Sequence, residues 1–159
     1  MTTALRWTWV RFEDLGVDDL YDALALRAQV FVVEQGAYLD PDGLDRYSWH
    51  LLGRKDTGEL IAYLRVVDPG NKYAEPAIGR VGVLSAERRG GVGRRLMAQG
   101  LQRADALWPG QGQRISAQAH LQAFYAELGF ETVTAPYLED DIAHVEMLRT
   151  AQAEREGAP

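Results

Sequence analysis

Residues 87–96 read ERRGGVGRRL, four arginines around three glycines in ten positions. Before them lies AIGRVGVL (77–84), which reads as a strand. After them Val92, Leu96, Met97, Leu101, Ala104 and Leu107 form an apolar stripe at helical spacing. Glycines this dense lose backbone entropy on folding, and cations at a helix start oppose its dipole. A strand, a tight turn and a helix start together present several backbone N–H groups in one direction, with partial positive charge behind them. An anion bound there would make both features favourable. Gly90, Gly91 and Gly93 leave it room to approach the backbone. Arg88, Arg89, Arg94 and Arg95 add charge-assisted donors suited to phosphate. A solvated basic turn, with its glycines serving geometry alone, stays open as the alternative.

Two common nucleotide motifs do not fit the stretch. No Gly-Lys-Ser/Thr follows, so it is not a P-loop. The third glycine of a dinucleotide fingerprint is missing, and no acid stands at a strand end ~20 residues on. The surrounding chain is acidic, with a net charge of -6, which argues against a nucleic-acid binder but not against a local basic pocket. No cysteine is present, excluding disulfides, thiolate metal sites and a cysteine nucleophile. Three scattered histidines without His-x-x-x-His spacing give no expectation of a metal. No apolar run approaches the ~20 residues that span a bilayer, and the protein is read as cytoplasmic.

Outward from the turn, RWTWVRF (6–12) reads as a strand, and Leu20, Leu24, Ala28 and Phe31 recur at helical spacing between Val17 and about Val33. QGAYLDPDGLDRY (35–47) is a long Gly-, Pro- and Asp-rich loop, of the kind that more often serves function. WHLLGR and ELIAYLRVV flank the turn at Lys55–Gly58 as a hairpin, and DPGNKYAEP (68–76) is a second loop. Downstream, RISAQA (114–119) is a strand and HLQAFYAEL (120–128) a short helix stopped by Gly129. FETVTA and HVEMLR (144–149) close the fold as strands. The order is β-α-β-β-β-α-β-α-β-β, an α/β (α+β) fold with a mixed sheet, expected as one domain over 1–149 with a polar tail at 150–159.

Arg88-Arg89-Gly90-Gly91-Val92-Gly93 resembles Arg/Gln-x-x-Gly-x-Gly, the acyl-CoA pyrophosphate signature of the GCN5-related N-acetyltransferases (GNAT superfamily). FYAELGF (124–130) resembles that family's later helix with its tyrosine and terminal Gly-Phe. LRAQVFVVEQ (26–35), YLDPDGLD (38–45), SWHLL (48–52), IGRVGV (78–83), AQAHLQAFY (117–125) and YLEDDIAHVEM (137–147) resemble the ElaA-type subgroup. The resemblance covers most of residues 20–149 and implies a central, mostly antiparallel sheet with helices on both faces. It further implies acetyl-CoA as acyl donor. The pantetheine arm would pair with the strand around Val81, Gly82 and Val83, between splayed fourth and fifth strands. The backbone of Arg89 to Arg94 would hold the pyrophosphate. Gln118 stands where many relatives carry an asparagine that contacts pantetheine. Tyr125 is implied as proton donor to the departing thiolate, although Leu121, Phe124, Tyr125 and Leu128 also form an apolar helical stripe that would suit a core tyrosine.

The implied reaction is acetyl transfer to a primary amine of a small molecule or peptide, by direct attack in a ternary complex. Such an attack needs a neutral amine, and Glu34, His50, His120, His144 and Glu146 are the candidate bases. His144 and Glu146 lie two apart on a strand and share a face, so a proton-accepting pair and an exposed polar face both stay open. Arg27 falls among the apolar positions of the first helix, and a buried guanidinium needs an acidic partner: Glu34, Asp40, Asp42 or Asp45. With Glu34, Asp42 and His50 it is the expected acceptor-side set, and the loop acids would suit a cationic acceptor. Arg27-x-x-Val30-Phe31 with its following acids also resembles acyl-homoserine-lactone synthases, which use acyl-carrier protein and S-adenosylmethionine. A non-catalytic acyl-CoA-sensing module is a further alternative. Expected partners are acetyl-CoA and an amine, with no nucleic acid and no membrane; a homodimer stays open.

Overall fold

The computed structural model describes residues 3–150, so all but the first residue of the expected tail lies outside the described residues. Eight strands form one sheet in the order β1-β2-β3-β4-β5-β8-β6, where β6 is Phe130–Thr132, with β7 also pairing β8. β1 (Leu5–Arg11), β2 (Ser48–Lys55), β3 (Leu60–Val67) and β4 (Ala77–Val83) make an antiparallel meander. β5 (Gln113–Gln118) then joins β4 in parallel, and a parallel neighbour requires a crossover. α2 (Val92–Leu107) supplies it, so the arginine–glycine turn is the β4–α2 connection of a βαβ unit.

Alternating strand residues divide the interior by face. On one face α2 and α3 (Gln122–Glu127) cover Leu51, Ile61, Leu64, Ile115, Ala117, Val145 and Met147. On the other, α1 (Val17–Arg27) packs Ala23 and Leu26 against Leu52, Leu60 and Tyr63. Among the described residues no helix is long and apolar enough to cross a membrane.

Three local features depart from the expected order. The helix begun at Val17 is α-helical only to Arg27; Ala28–Val33 is a π-helix, with Glu34 N–H bonded to Gln29 O at 3.2 Å. The extra residue per turn turns the end of the segment toward the sheet. A strand at Tyr137–Glu139, β7, was not expected; it pairs with β8 (Ile142–Arg149) across a two-residue turn. Asp140 and Asp141 make that turn at φ 50° and 63°, a geometry usually flagged by Asn-Gly or Asp-Gly. Finally, β4 carries a bulge: Tyr63 pairs with Gly82 and Arg65 with Gly79, so Arg80 and Val81 together face Leu64. Arg80 adopts φ 51°, which re-aims its side chain.

Candidate active site

β4 and β5 pair only at Ala77–Arg114 and Ile78–Ile115. Beyond these residues the strands diverge, and a cleft of about 1140 Å³ opens, lined on the β4 side by Val81, Gly82 and Val83. At one end lies the β4–α2 turn, where Arg89 (φ 74°) and Gly91 (φ 76°) are both left-handed. The first intrahelical bond of α2 runs from Arg95 N–H to Gly91 O at 3.1 Å. Val92, Gly93 and Arg94 therefore have N–H groups with no intrahelical acceptor, and the Gly91 cap has no side chain to supply one. A Cβ on Gly93 would stop 3.9 Å from Phe124, in otherwise open space. The turn is thus a cradle with unused N–H donors and open space in front of them, the chemistry of an anion site. Arg88, Arg89, Gly91, Val92, Gly93 and Arg94 line the cleft; Gly90 faces solvent instead.

The π-helical segment delivers two side chains across this cleft. Glu34 forms an ion pair with Arg88 at 2.9 Å, while Arg88 Nε also donates to Val83 O at 2.9 Å. Gln118 Nε2 donates to Gln35 Oε1 at 3.0 Å. Arg94 pairs with Glu127 and lies over the Phe124 ring, whereas Arg89 has no ion pair among the described residues.

Tyr125 lines the cleft from the α2–α3 face, 5% exposed, with its ring edge-on to Phe124 and Phe130. Its hydroxyl has no hydrogen-bond partner among the described residues, and burial pushes the phenol up to about 12. His144 lines the cleft from the opposite face of the sheet. Nδ1–H donates to Ile142 O at 2.7 Å, and Nε2 faces Glu139 Oε2 at 3.3 Å. Of the two readings of the His144–Glu146 spacing, the pair is not formed. Glu146 lies outside the cleft lining and binds Arg114 at 3.1 Å, which also holds Glu75. Shared strand face was sufficient to align the two side chains but not to bring them together.

Arg27 and His50, expected among the acceptor contacts, do not line the cleft. Each is 1% exposed. Arg27 binds Asp40 (2.9 Å) and Asp45 (2.8 Å), not Glu34. Arg65 binds Asp42 (2.5 Å) and Asp45 (2.9 Å), and Arg80 binds Asp40 (2.9 Å). His50 donates from Nε2 to Asp45 O at 2.9 Å and accepts at Nδ1 from the Tyr63 hydroxyl at 2.6 Å. Burial holds His50 below its usual value. Burial would raise Asp42 and Asp45, but hydrogen bonds and charge from Arg65 and Arg27 prevail, and both carboxyls fall below the usual range. Asp42 does line the cleft, with its carboxylate committed to Arg65 and Arg80. The three-arginine, three-aspartate cluster pins the 35–47 loop beside the cleft. Glu139 and Gln35 escaped the sequence reading; for Glu139 the two consecutive aspartates of its hairpin turn were the available signal.

This construction recurs in known proteins. Residues 39–151 match the Acetyltransferase (GNAT) domain family. A UPF0039 protein (sll0451) of Synechocystis is 46% identical over 145 residues, covering 91% of this chain and 94% of that protein. Among solved structures, an acyl-CoA N-acyltransferase from Pseudomonas aeruginosa superposes with TM-score 0.87 at 47% identity, over 92% of this chain and 100% of the other. Escherichia coli ElaA does so with TM-score 0.86 at 40% identity, over 92% and 99%. The chain belongs to the GNAT acyltransferase family, with ElaA among its homologues.

Proposed function

We propose that the protein is an acetyl-CoA-dependent N-acetyltransferase acting on a primary amine of a small molecule or peptide by direct attack in a ternary complex. The observation that carries this reading is the splay of β4 from β5, ending at a turn with unused N–H donors and cleft-facing arginines. Acetyl-CoA supplies an acyl group already activated as a thioester. Val92, Gly93 and Arg94 N–H groups, with Arg88 and Arg89, hold the pyrophosphate. The free β4 edge at Val81–Val83 and the Gln118 amide align the arm, so that approach of the amine becomes effectively unimolecular.

Tyr125 donates a hydrogen bond to sulfur as negative charge develops there. A phenol near 12 is a weaker acid than an alkyl thiol near ~8.5, so full proton transfer from Tyr125 would be uphill. Its role is therefore stabilisation of the thiolate in a dry site.

Calorimetric titration with acetyl-CoA tests the reading, with NADH as control and Gly93→Glu as variant. Glutamate suits the first helical turn in propensity and charge, so thermal stability is expected to hold. Its carboxylate would occupy the cradle, and acetyl-CoA affinity is expected to fall about a hundredfold, about 2.7 kcal/mol. No acetyl-CoA binding by the folded wild-type protein would remove the reading.

A further inference from the structure

Direct attack requires that an amine arriving as ammonium lose a proton, and the family fold does not say where that proton goes. We propose that His144 is the general base of this protein and that Glu139, on the neighbouring strand of the β7–β8 hairpin, is its positioning residue. The inference rests on the transferase reading above.

The geometry eliminates the other candidates one by one. Glu34 is neutralised by Arg88 at 2.9 Å. Glu146 is held by Arg114 outside the cleft lining. His50 is 1% exposed behind the loop and does not line the cleft. His120 borders the cleft but is exposed, and no protein partner among the described residues orients its ring.

His144 differs from all of these. Its Nδ1–H is spent on Ile142 O, so in the neutral ring Nε2 carries a lone pair. That lone pair faces a carboxylate oxygen 3.3 Å away. With no proton between them, two acceptors confront each other; one added proton turns the contact into a charge-assisted hydrogen bond. Supporting contacts hold the pair in place. The Tyr137 ring stacks on His144, and its hydroxyl shares a 2.5 Å hydrogen bond with Ser116. The left-handed Asp140–Asp141 turn sets the register that places Glu139 near His144.

The two faces of the sheet then divide the two proton functions. Tyr125 belongs to the α2–α3 face, while Ser116, Gln118 and His144 share the other. The ammonium proton passes to Nε2 of His144. The electron pair left on nitrogen forms the new C–N bond, the C–S bond breaks with its pair leaving on sulfur beside Tyr125, and the second proton, shed by nitrogen as the amide forms, passes to that sulfur to give the free thiol. His144 returns its proton to solvent.

Other charged or titratable groups of these elements are Tyr137, stacked on the ring, Asp140 and Asp141, which line the cleft from the hairpin turn, and Glu146 on β8, paired with Arg114 of β5. Lys72 and Tyr73 from the 68–76 loop feel Glu139, and Glu34 ends the π-helical segment. Among the described residues only Glu139 places an acidic oxygen within reach of Nε2.

The test uses the full chain, acetyl-CoA and two nucleophile probes. Hydroxylamine is unprotonated at neutral pH, whereas n-propylamine, like lysine, titrates near ~10.4 and must be deprotonated. Thiol release is measured for wild type, His144→Gln and Glu139→Gln, with acetyl-CoA affinity reporting that each variant is folded. His144→Gln is expected to lose about a hundredfold in kcat/KM with propylamine at pH 7, and less than about threefold with hydroxylamine. Glu139→Gln is expected to lose about tenfold with propylamine only. Equal losses on both probes, in His144→Gln or in Glu139→Gln, would overturn the dyad while leaving the transferase reading standing. No turnover of either probe by the wild-type protein would overturn both.

Discussion

Two regions of this protein use arginine in opposite ways. At the β4–α2 turn, Arg88, Arg89 and Arg94 are exposed and line an open cleft. Under the 35–47 loop, Arg27 and Arg65 are 1% exposed and ion-paired with the protein's own aspartates. A guanidinium in water near unused backbone donors is available to an incoming anion. One buried among fixed carboxylates is not, because displacing its partner would leave an uncompensated charge. The first region is built to receive a ligand. The second is built to hold a loop in place beside it.

The sharpest way to break this comparison is Asp45→Asn. Asp45 serves Arg27 and Arg65 together, so neutralising it should destabilise the fold by about 3 kcal/mol in denaturant unfolding, with acetyl-CoA affinity unchanged at temperatures where the variant is folded. The difference should also depend on pH. The folded-state carboxyl lies below the ordinary 3.8, so its stabilisation is fully present above 3.8 and fades as pH falls through the folded value. A stability loss below about 1 kcal/mol at pH 7 would mean that the cluster is not the anchor of the loop.

Tyr125→Phe probes the open region with a smaller change. The hydroxyl has no partner to lose among the described residues, so stability and acetyl-CoA affinity should hold, while kcat drops about a hundredfold. Unchanged turnover would reduce Tyr125 to a core residue. Unchanged behaviour in a protein that binds acetyl-CoA but acetylates no amine would instead favour the sensing module.

The smallest effect is expected from Glu34→Gln. Here the open region borrows the device of the closed one, an internal carboxylate on a cradle arginine. The pair is partly exposed and contributes at most about 1 kcal/mol, so its removal should tighten coenzyme A binding by up to about fivefold. Weaker binding would show that Glu34 orients Arg88 for phosphate rather than competing with it.

Legibility in the sequence follows the range of the interactions. The anion cradle depends on a strand, a glycine turn and a helix start contiguous in the chain, so residues 87–96 announce it. Tyr125 was visible as a position, but its opposing readings as core residue and donor turned on whether the ring borders the cleft. Arg27 was legible as a cation in need of an acid. Its choice of Asp40 and Asp45 over Glu34 depended on the π-helical segment, which sends Glu34 away to Arg88. β7 was missed because its turn is Asp-Asp, and with it went Glu139, the partner that His144 takes in place of Glu146.

Local chemistry therefore determined the arginine–glycine turn, the element order around it and the family. Those signals repeat at short spacing, and a glycine, a helix stripe or a strand alternation carries its meaning without distant help. Tertiary structure decided which charges are free. An ion pair is chosen by distances of a few ångströms between residues dozens of positions apart. Those distances are set by the splay of β4 from β5, the bulge at Arg80 and the handedness of one two-residue turn.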